Sequence, residues 1–412
     1  MDLLRTLADD AAALAGDLAD LRHRIHRQPE LGLDLPRTQE TVVAALHGLP
    51  LQVSTGTTST SVTAVLRGGG ADAAPAAARP IVLLRGDMDA LPVTERVDVP
   101  YRSQVDGVMH ACGHDLHTAM LVGAARLLSA HADHLAGDVV FMFQPGEEGW
   151  DGAAHMIAEG VLDAAGRRAD AAFALHVMSG TAPRGVVLGR PGPIMAASDG
   201  LHVVVRGRGG HGSAPHQCAD PVPAACEMVL ALHTQMSRTI DVFAPAVLTV
   251  GSFHAGTMPN IIPDTATFEA TVRTFDPAVR EQLRRLCRRV CEGVAAAHGV
   301  EAEVTYSTHY PVTVNDAAQT HFALQVAAEL SGDAAVVRMP EPITGSEDFS
   351  RVLAAVPGTL VFLGAHLDGR DPDRAPGNHS PLAAFDDRVL PQGAALHAAF
   401  AARRLAGLAA PG

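Results

Sequence analysis

One short stretch of the chain, residues 108–117, concentrates side chains that bind metal ions. It reads Val-Met-His-Ala-Cys-Gly-His-Asp-Leu-His and holds one cysteine, three histidines and one aspartate. A thiolate, imidazoles and a carboxylate together form a ligand set that suits Zn²⁺ and similar transition metals. The chain has 21 histidines, most of which must be structural, so this stretch alone leaves a metal site and a chance grouping equally open.

Three apolar segments that we predict to be strands end on acidic residues or on a histidine. Residues 81–84 are followed by Arg-Gly-Asp-Met-Asp, residues 139–143 by Gln-Pro-Gly-Glu-Glu, and residues 172–175 by His176. In open parallel α/β sheets, ligands bind beyond the carboxyl ends of the strands. A single end of this kind is more often a turn or a cap, but three of them beside a Cys/His stretch favour a metal site.

The adjacent acids Glu147 and Glu148 can have different tasks, because neighbouring side chains at a strand end point in different directions. One can bind a metal ion while the other faces a metal-bound water. A metal lowers the pKa of bound water from about 15.7 toward about 7, and a nearby carboxylate can take its proton and pass it to a leaving amine. More than four candidate ligands indicate two divalent ions, either Mn²⁺ or Zn²⁺, with Co²⁺ or Ni²⁺ as further options.

The composition predicts a soluble, cytoplasmic enzyme. With 412 residues, 47% of them hydrophobic, the chain can bury the cores of two domains. A balance of 31 basic against 45 acidic residues gives a net charge of -14, which disfavours nucleic acid or an anionic membrane as a partner. No export signal and no membrane-spanning run are predicted. Five cysteines argue against a disulfide framework and leave Cys112 reduced and free to bind metal.

Alternating strands and helices in the first half of the chain predict a doubly wound, mainly parallel α/β sheet. From Leu201 the order changes to strand, helix, two strands, helix and strand, which is typical of a small α/β sandwich, and after Pro311 the first pattern returns. We therefore predict a catalytic domain made of residues 1–194 and 310–412, with a smaller domain inserted at 195–309. The predicted helices lie at 3–27, 37–46, 117–132, 152–159, 220–237, 277–298, 316–330 and 382–405, and a loop of small residues is predicted at 68–75.

Two late segments add polar groups whose role stays open at this point. His379 lies in the turn-rich sequence Gly-Asn-His-Ser-Pro, where a histidine alone is more often a cap. Residues 344–349, Thr-Gly-Ser-Glu-Asp-Phe, can be a helix start with Ser346 as its N-cap or part of a pocket.

Taken together, these segments resemble the family of dinuclear amidohydrolases and peptidases that includes aminoacylases, hippurate hydrolases and indoleacetyl-amino-acid hydrolases. The resemblance spans nearly the whole chain. Its motifs are His26 with Pro-Glu-Leu-Gly at 29–32, Arg-Gly-Asp-Met-Asp-Ala-Leu-Pro at 85–92, Met-His-Ala-Cys-Gly-His-Asp at 109–115, Gln-Pro-Gly-Glu-Glu-Gly at 144–149, Leu-His at 175–176, Gly-Gly-His-Gly-Ser-Ala-Pro-His at 209–216, Met-Pro-Asn-Ile-Ile-Pro at 258–263, Gly-Ser-Glu-Asp-Phe at 345–349 and Asn-His at 378–379.

The resemblance implies a complete metal centre. In such a centre Glu147 acts as general base and acid while a metal-activated water attacks the amide of an N-acyl amino acid. Asp89 orients a metal-bound histidine, as outer-shell carboxylates commonly do. The implied metal ligands are Cys112, which bridges the two ions, together with His114, Glu148, His176 and His379.

The resemblance also implies a role for the inserted domain as a lid that mediates assembly into a homodimer or a higher homo-oligomer. Its His211 would stabilise the oxyanion, often across the dimer interface. Asn260 and Arg273 would hold the carboxylate of the substrate, a task that suits the planar guanidinium fork.

Other functions fit the residues less well. The pattern G-x-G-x-x-G at 207–212 follows a predicted strand, but Pro215 and Pro221 delay the helix that a dinucleotide site needs, and no acidic residue follows at the required distance. A dipeptidase or aminopeptidase on the same scaffold is the alternative within the enzyme class. A catalytically silent metal- or peptide-binding protein is the alternative outside it, and Glu147 argues against that alternative because a binding protein has no need of a base.

Overall fold

The computed structural model describes residues 3–71, 79–367, 369, 371 and 374–410. Residues 72–75 of the predicted small-residue loop lie outside this part. The α-helices are α1 Leu3–Ala13, α2 Ala15–Arg27, α3 Pro36–Leu46, α4 His114–Ala130, α5 Gly152–Ala158, α6 Pro221–Thr239, α7 Pro277–His298, α8 Ala317–Ser331, α9 Ser350–Leu353 and α10 Leu390–Ala409. The strands are β1 Leu51–Thr55, β2 Val62–Leu66, β3 Ile81–Asp87, β4 Asp138–Gln144, β5 Ala171–Met178, β6 Val187–Gly189, β7 Gly192–Met195, β8 Ala197–Arg206, β9 Gly210–His211, β10 Ala246–Ala255, β11 Ile261–Ile262, β12 Thr265–Thr274, β13 Glu301–Thr308, β14 Thr313–Asn315, β15 Val336–Arg338 and β16 Gly358–Gly364.

The chain divides into two compact units. The larger contains the described parts of Met1–Ile194, Val314–Glu341 and Asp348–Gly412, and the smaller contains Met195–Thr313 and Pro342–Glu347. The predicted catalytic domain places residues 342–347 with its own second part, whereas in the structure they pack with the smaller unit.

The larger unit is built on one mixed sheet with the strand order β1-β2-β4-β3-β5-β16-β6-β15. Its central strands β4, β3, β5 and β16 are mutually parallel, in agreement with the predicted doubly wound sheet, while β1 and β2 extend the sheet in antiparallel fashion. Every residue of β3 and β4 is buried, as expected for parallel strands covered on both faces. The carboxyl ends of β4, β3 and β5 therefore lie side by side at one edge of the sheet.

Two predicted helices differ from those observed. The helix predicted at 3–27 is divided at Leu14 into α1 and α2. The final helix begins at Leu390 rather than at residue 382. Pro391 is the second residue of this helix, and proline fits the first turn of a helix but breaks its interior. A helix begun at residue 382 would therefore place Pro391 where a backbone hydrogen bond is required.

The smaller unit is an antiparallel sheet with the order β10-β12-β8-β13, packed against α6 and α7. Alternate residues of β8 and β12 are buried, which is the pattern of a sheet with one covered face. Leu201, Val203 and Phe268 from the sheet form a core with Met228 of α6 and Leu283 of α7. Among the described residues, no helix has the length and apolar character needed to cross a membrane.

Candidate metal centre

The ends of the three central strands supply most of the predicted site residues. Asp87 ends β3 and is followed two residues later by Asp89, Glu147 follows β4, and His176 lies near the end of β5. Since β4, β3 and β5 are parallel neighbours, these side chains converge at one edge. Asp87, Asp89 and Glu147 are all at least 94% buried.

The Cys/His stretch enters this edge through a tight turn at the start of α4. Gly113 adopts φ +86°, a left-handed conformation that favours glycine. A Cβ at this position would lie 2.4 Å from Cγ2 of Val177 on β5. The glycine therefore allows Cys112 and His114, its two neighbours, to approach the strand end that carries His176.

The five predicted metal ligands lie together in the structure. Cys112 Sγ is 3.4 Å from His176 Nε2, and Glu148 Oε1 is 3.1 Å from His379 Nε2 and 4.0 Å from His114 Nε2. Ligand atoms within 4.8 Å of one another form two overlapping groups, one made of Cys112, His114 and His176 and the other of Cys112, Glu148 and His379. Cys112 belongs to both groups, which is the position that a bridging thiolate would need.

The hydrogen bonds of the histidines leave free exactly those nitrogens that a metal could use. His176 Nδ1 donates to the carbonyl of Val177 at 2.9 Å, so the lone pair of Nε2 faces Cys112. His114 is 99% buried, and neither of its ring nitrogens has a hydrogen-bond partner among the described residues. Buried polar atoms are nearly always paired, so this histidine fits a metal ligand whose partner is an ion.

The charges of the site also fit a cation. Burial and the charge of Glu148 raise the pKa of the Cys112 thiol to about 12, whereas a divalent cation deprotonates a coordinating thiol. Burial and the neighbouring His117 hold the pKa of His176 well below its ordinary value, which keeps it neutral as metal binding requires. Burial alone would lower the pKa of His114, but the charges of Asp87 and Cys112 raise it well above its ordinary value. The anionic groups around His114 thus favour positive charge at this point.

Asp89 fixes the loop that carries the two glutamates. Its Oδ1 accepts a hydrogen bond from the backbone amide of Glu147 at 3.0 Å, and its Oδ2 accepts one from the amide of Glu148 at 3.0 Å. The same Oδ1 lies 3.4 Å from His114 Nδ1. Asp89 therefore contacts the predicted base, one predicted ligand and the ring of another, and the sequence analysis anticipated only the last of these contacts.

His117 and Asp87 form a buried relay that the sequence analysis did not assign. His117 Nδ1 lies 2.5 Å from Asp87 Oδ1, and His117 Nε2 accepts a hydrogen bond from the backbone amide of Val177 at 2.8 Å. Because Nε2 accepts, Nδ1 carries the proton and donates to Asp87. Both ring nitrogens are thereby used, so His117 has no lone pair for a metal. It instead holds the segment that carries His176.

We expect the H117L variant to bind metal about 10- to 100-fold more weakly, as is usual when a group that orients ligands is lost. Leucine removes both hydrogen bonds of the relay and leaves the Asp87 carboxylate and the Val177 amide unpaired. The H117Q variant should stay within a few fold of the native affinity, because glutamine can donate to Asp87 and accept from Val177. Metal affinity measured by competition with a chelator checks this, and native affinity in folded H117L would contradict it.

Asn378 clamps the loop that carries His379. Its Nδ2 donates to the carbonyls of Cys112 at 3.1 Å and Val177 at 2.9 Å, and its Oδ1 accepts from the amide of Ser179 at 3.0 Å. His379 itself has φ +70°, an unusual conformation for a residue other than glycine, and such backbone strain is concentrated at functional sites. The loop is therefore tied to two ligand-bearing segments at once. An asparagine beside a candidate ligand was the available signal in the sequence.

A buried ion network lies next to these strand ends. The guanidinium of Arg85 donates to Gln144 at 2.9 Å, to Asp87 at 2.5 Å and to Asp348 at 3.0 Å. Asp348 also accepts from the amide of Ala153 at 2.9 Å. Of the two predictions for residues 344–349, the helix start at Ser346 is wrong, since α9 begins at Ser350. Asp348 is instead a buried anchor that ties this segment to the sheet.

The smaller unit carries the three residues predicted to contact substrate. His211 and Asn260 are exposed neighbours, since the amide of Gly212 donates to the carbonyl of Asn260 at 2.9 Å. Arg273 lies near the far end of β12, where its guanidinium donates to the Thr271 hydroxyl at 2.6 Å and the Val272 carbonyl at 3.0 Å. The structure thus brings His211 and Asn260 together and places Arg273 apart from them.

The comparisons with known proteins agree with this arrangement. The model of "Peptidase family M20/M25/M40" matches residues 83–403. "Thermostable carboxypeptidase 1" of Saccharolobus solfataricus is 37% identical over 98% of this chain and 99% of its own length. "Hippurate hydrolase" of Campylobacter jejuni is 35% identical over 98% of this chain and 100% of its own length.

Among solved structures, the Bacillus subtilis YxeP protein, described as a dinuclear metal-binding peptidase of family M20, is 31% identical with a TM-score of 0.81, over 96% of this chain and 99% of its own. The resemblance found in the sequence is confirmed by these matches, as is the expectation of an enzyme. The chain therefore belongs to peptidase family M20/M25/M40 and is a metal-dependent hydrolase of amide bonds.

Proposed function

We propose that this enzyme hydrolyses the amide bond of N-acyl amino acids with two divalent metal ions. The observation that carries the proposal is the convergence of five candidate ligands beside the buried carboxylate of Glu147. Cys112, His114, Glu148, His176 and His379 would hold the ions, and the mixed sulfur, nitrogen and oxygen donors suit Zn²⁺ or Mn²⁺. When bound, the ions would polarise the substrate carbonyl and acidify a water molecule.

Glu147 would move the proton in this reaction. Its carboxylate takes a proton from the attacking water and returns it to the amine nitrogen as the amide bond breaks, which makes the amine a better leaving group. The hydrogen bond from its backbone to Asp89 fixes the loop, so the base is held in place before the substrate arrives.

Arg273 would bind the carboxylate of the substrate. Within the part of the chain that the structure describes, its guanidinium bonds to a hydroxyl and a carbonyl and forms no ion pair with an acidic side chain. An arginine without an anionic partner retains donors for a carboxylate. Together with the relative named hippurate hydrolase, this supports an N-acyl amino acid, with its free carboxylate, as the substrate.

His211 and Asn260 would act at the active site of a second subunit. His211 pairs with Ile261, before β12 begins at Thr265, whereas Arg273 lies eight residues into that strand. Eight residues of an antiparallel strand span about 27 Å, which is far more than the length of a small N-acyl amino acid. One copy of the smaller unit therefore cannot place His211 and Arg273 on the same substrate.

The smaller unit offers an apolar surface for such a dimer. Leu230 of α6 and Val247 of the edge strand β10 are 69% and 40% exposed, and Val242 and Phe243 between them are 86% and 90% exposed. Exposed apolar groups beside an unpaired strand edge are typical of an interface between chains. We propose that a second copy of the chain covers them.

Metal analysis combined with a substrate panel tests the proposed function. Purified enzyme should contain two divalent ions per chain, lose activity on chelation, and hydrolyse N-benzoyl, N-acetyl or indoleacetyl amino acids. Free dipeptides should not be cleaved, because the predicted site provides no acidic partner for a substrate amine. Cleavage of dipeptides without turnover of any N-acyl amino acid would favour the dipeptidase or aminopeptidase alternative.

A further inference from the structure

A cavity of about 280 Å³ in the larger unit is surrounded by positive charge. It lies between the end of α2, the start of α3 and the loop that contains Gln104. The lining residues are Arg24, Ile25, Arg27, Gln28, Arg37, Thr38, Thr41 and Gln104. Three of them are arginines and none is acidic, although the chain as a whole carries a net charge of -14.

The arginines of this cavity are not neutralised by acidic side chains. Within the part of the chain that the structure describes, neither Arg24 nor Arg27 forms a hydrogen bond or an ion pair through its guanidinium, and the guanidinium of Arg37 bonds to Gln28. The nearby carboxylate of Glu30 is used elsewhere, since it accepts hydrogen bonds from the backbone amides of Arg37 and Thr38 at the start of α3. The guanidinium charges are therefore available to a ligand.

A chain of hydrogen bonds further enriches the cavity in donors. Arg37 donates from NH1 to Gln28 Oε1 at 2.6 Å, and Gln28 Nε2 donates to Gln104 Oε1 at 2.8 Å. The direction of this chain is forced, because a guanidinium can only donate. Gln28 must present its oxygen to Arg37, so its nitrogen donates onward. Both amide oxygens are thereby used, and Gln104 Nε2 remains as a free donor.

We propose that this cavity binds a small oxyanion with two or more negative charges. Guanidinium groups recognise such anions through paired hydrogen bonds, and the free amide of Gln104 adds a neutral donor. The volume lies at the lower end of the range of about 300–1,000 Å³ for small-molecule sites, which suits an ion of a few heavy atoms with ordered water. A sulfate-like tetrahedral anion and a short dicarboxylate share this chemistry.

Titration calorimetry of the metal-loaded, full-length enzyme tests the proposal, with inorganic sulfate and glutarate as probes. Chloride is adjusted so that the ionic strength stays constant, because general screening would otherwise imitate weak binding. We expect saturable binding of at least one probe to the native enzyme. The probe that binds more tightly identifies the geometry, tetrahedral or dicarboxylate.

Three variants separate a built site from general charge attraction. R24Q/R27Q should weaken binding at least about tenfold, because it removes the two unpaired guanidiniums. Q104A keeps every charge and should still weaken binding about threefold or more, because it removes one donor. The matched control R288Q/R289Q, on the exposed face of α7, loses the same charge and should bind as the native enzyme does. Equal affinity in R24Q/R27Q and the native enzyme, or no saturable binding of either probe, would overturn the proposal.

Discussion

Replacing Glu147 by glutamine is expected to lower the turnover of N-acyl amino acids by about 10³-fold while two metal ions stay bound. The loss corresponds to the contribution of a positioned general base and acid. Glutamine has nearly the same shape, and the bond from its backbone amide to Asp89 does not depend on the side chain. Since the five candidate ligands are other residues, the metal content should not change.

The neighbouring E148Q variant is the matched control for this experiment. It makes the same chemical change one residue away, but it alters a carboxylate that lies 3.1 Å from His379 and 4.0 Å from His114. We expect E148Q to lose metal and activity together, whereas E147Q loses activity alone. Metal content by elemental analysis and turnover on one substrate distinguish the two. Substantial turnover by E147Q would contradict the proposed role of Glu147.

The larger sheet and the strand-end residues could be predicted from sequence because one rule of topology covers both. Apolar runs that alternate with helices predict parallel strands, and parallel strands bring their carboxyl ends to one edge. Asp89, Glu147 and His176 follow directly from this rule. The rule does not say which histidine of the 108–117 stretch turns toward that edge. That choice came from the family resemblance, and the structure supplies a physical reason for it in the two unpartnered nitrogens of His114.

The supporting contacts could not be predicted, because they depend on the direction of individual side chains. His117 and Asp87 are 30 residues apart, and nothing in their spacing indicates that one ring bridges Asp87 and the amide of Val177. Asn378 likewise binds carbonyls of two distant segments. Such contacts follow from the packed arrangement of strands and loops, which sequence patterns describe only as elements.

Pairing two inactive variants in one dimer is expected to restore activity, if His211 acts at the site of the other subunit. H211A should lose about 10²- to 10³-fold in turnover, the usual cost of removing a group that stabilises the oxyanion, and E147Q loses its base. In a heterodimer of the two, the H211A subunit keeps its own Glu147 and receives His211 from the E147Q subunit. One of the two sites is then complete, so the heterodimer should show about half the activity of the native dimer.

The reciprocal heterodimer makes the test independent of expression level or subunit stability. It pairs a native subunit with an E147Q/H211A double variant and contains the same substitutions in total. If His211 acts on the other subunit, the native metal centre receives alanine, the double variant lacks its base, and both sites fail. If His211 acts within its own subunit, the two results exchange places, so this pair is half active and the first pair is inactive. Two affinity tags allow each heterodimer to be purified. An active monomer would contradict the dimer itself, because the strand that separates His211 from Arg273 by about 27 Å leaves no way for a single chain to bring both to one substrate.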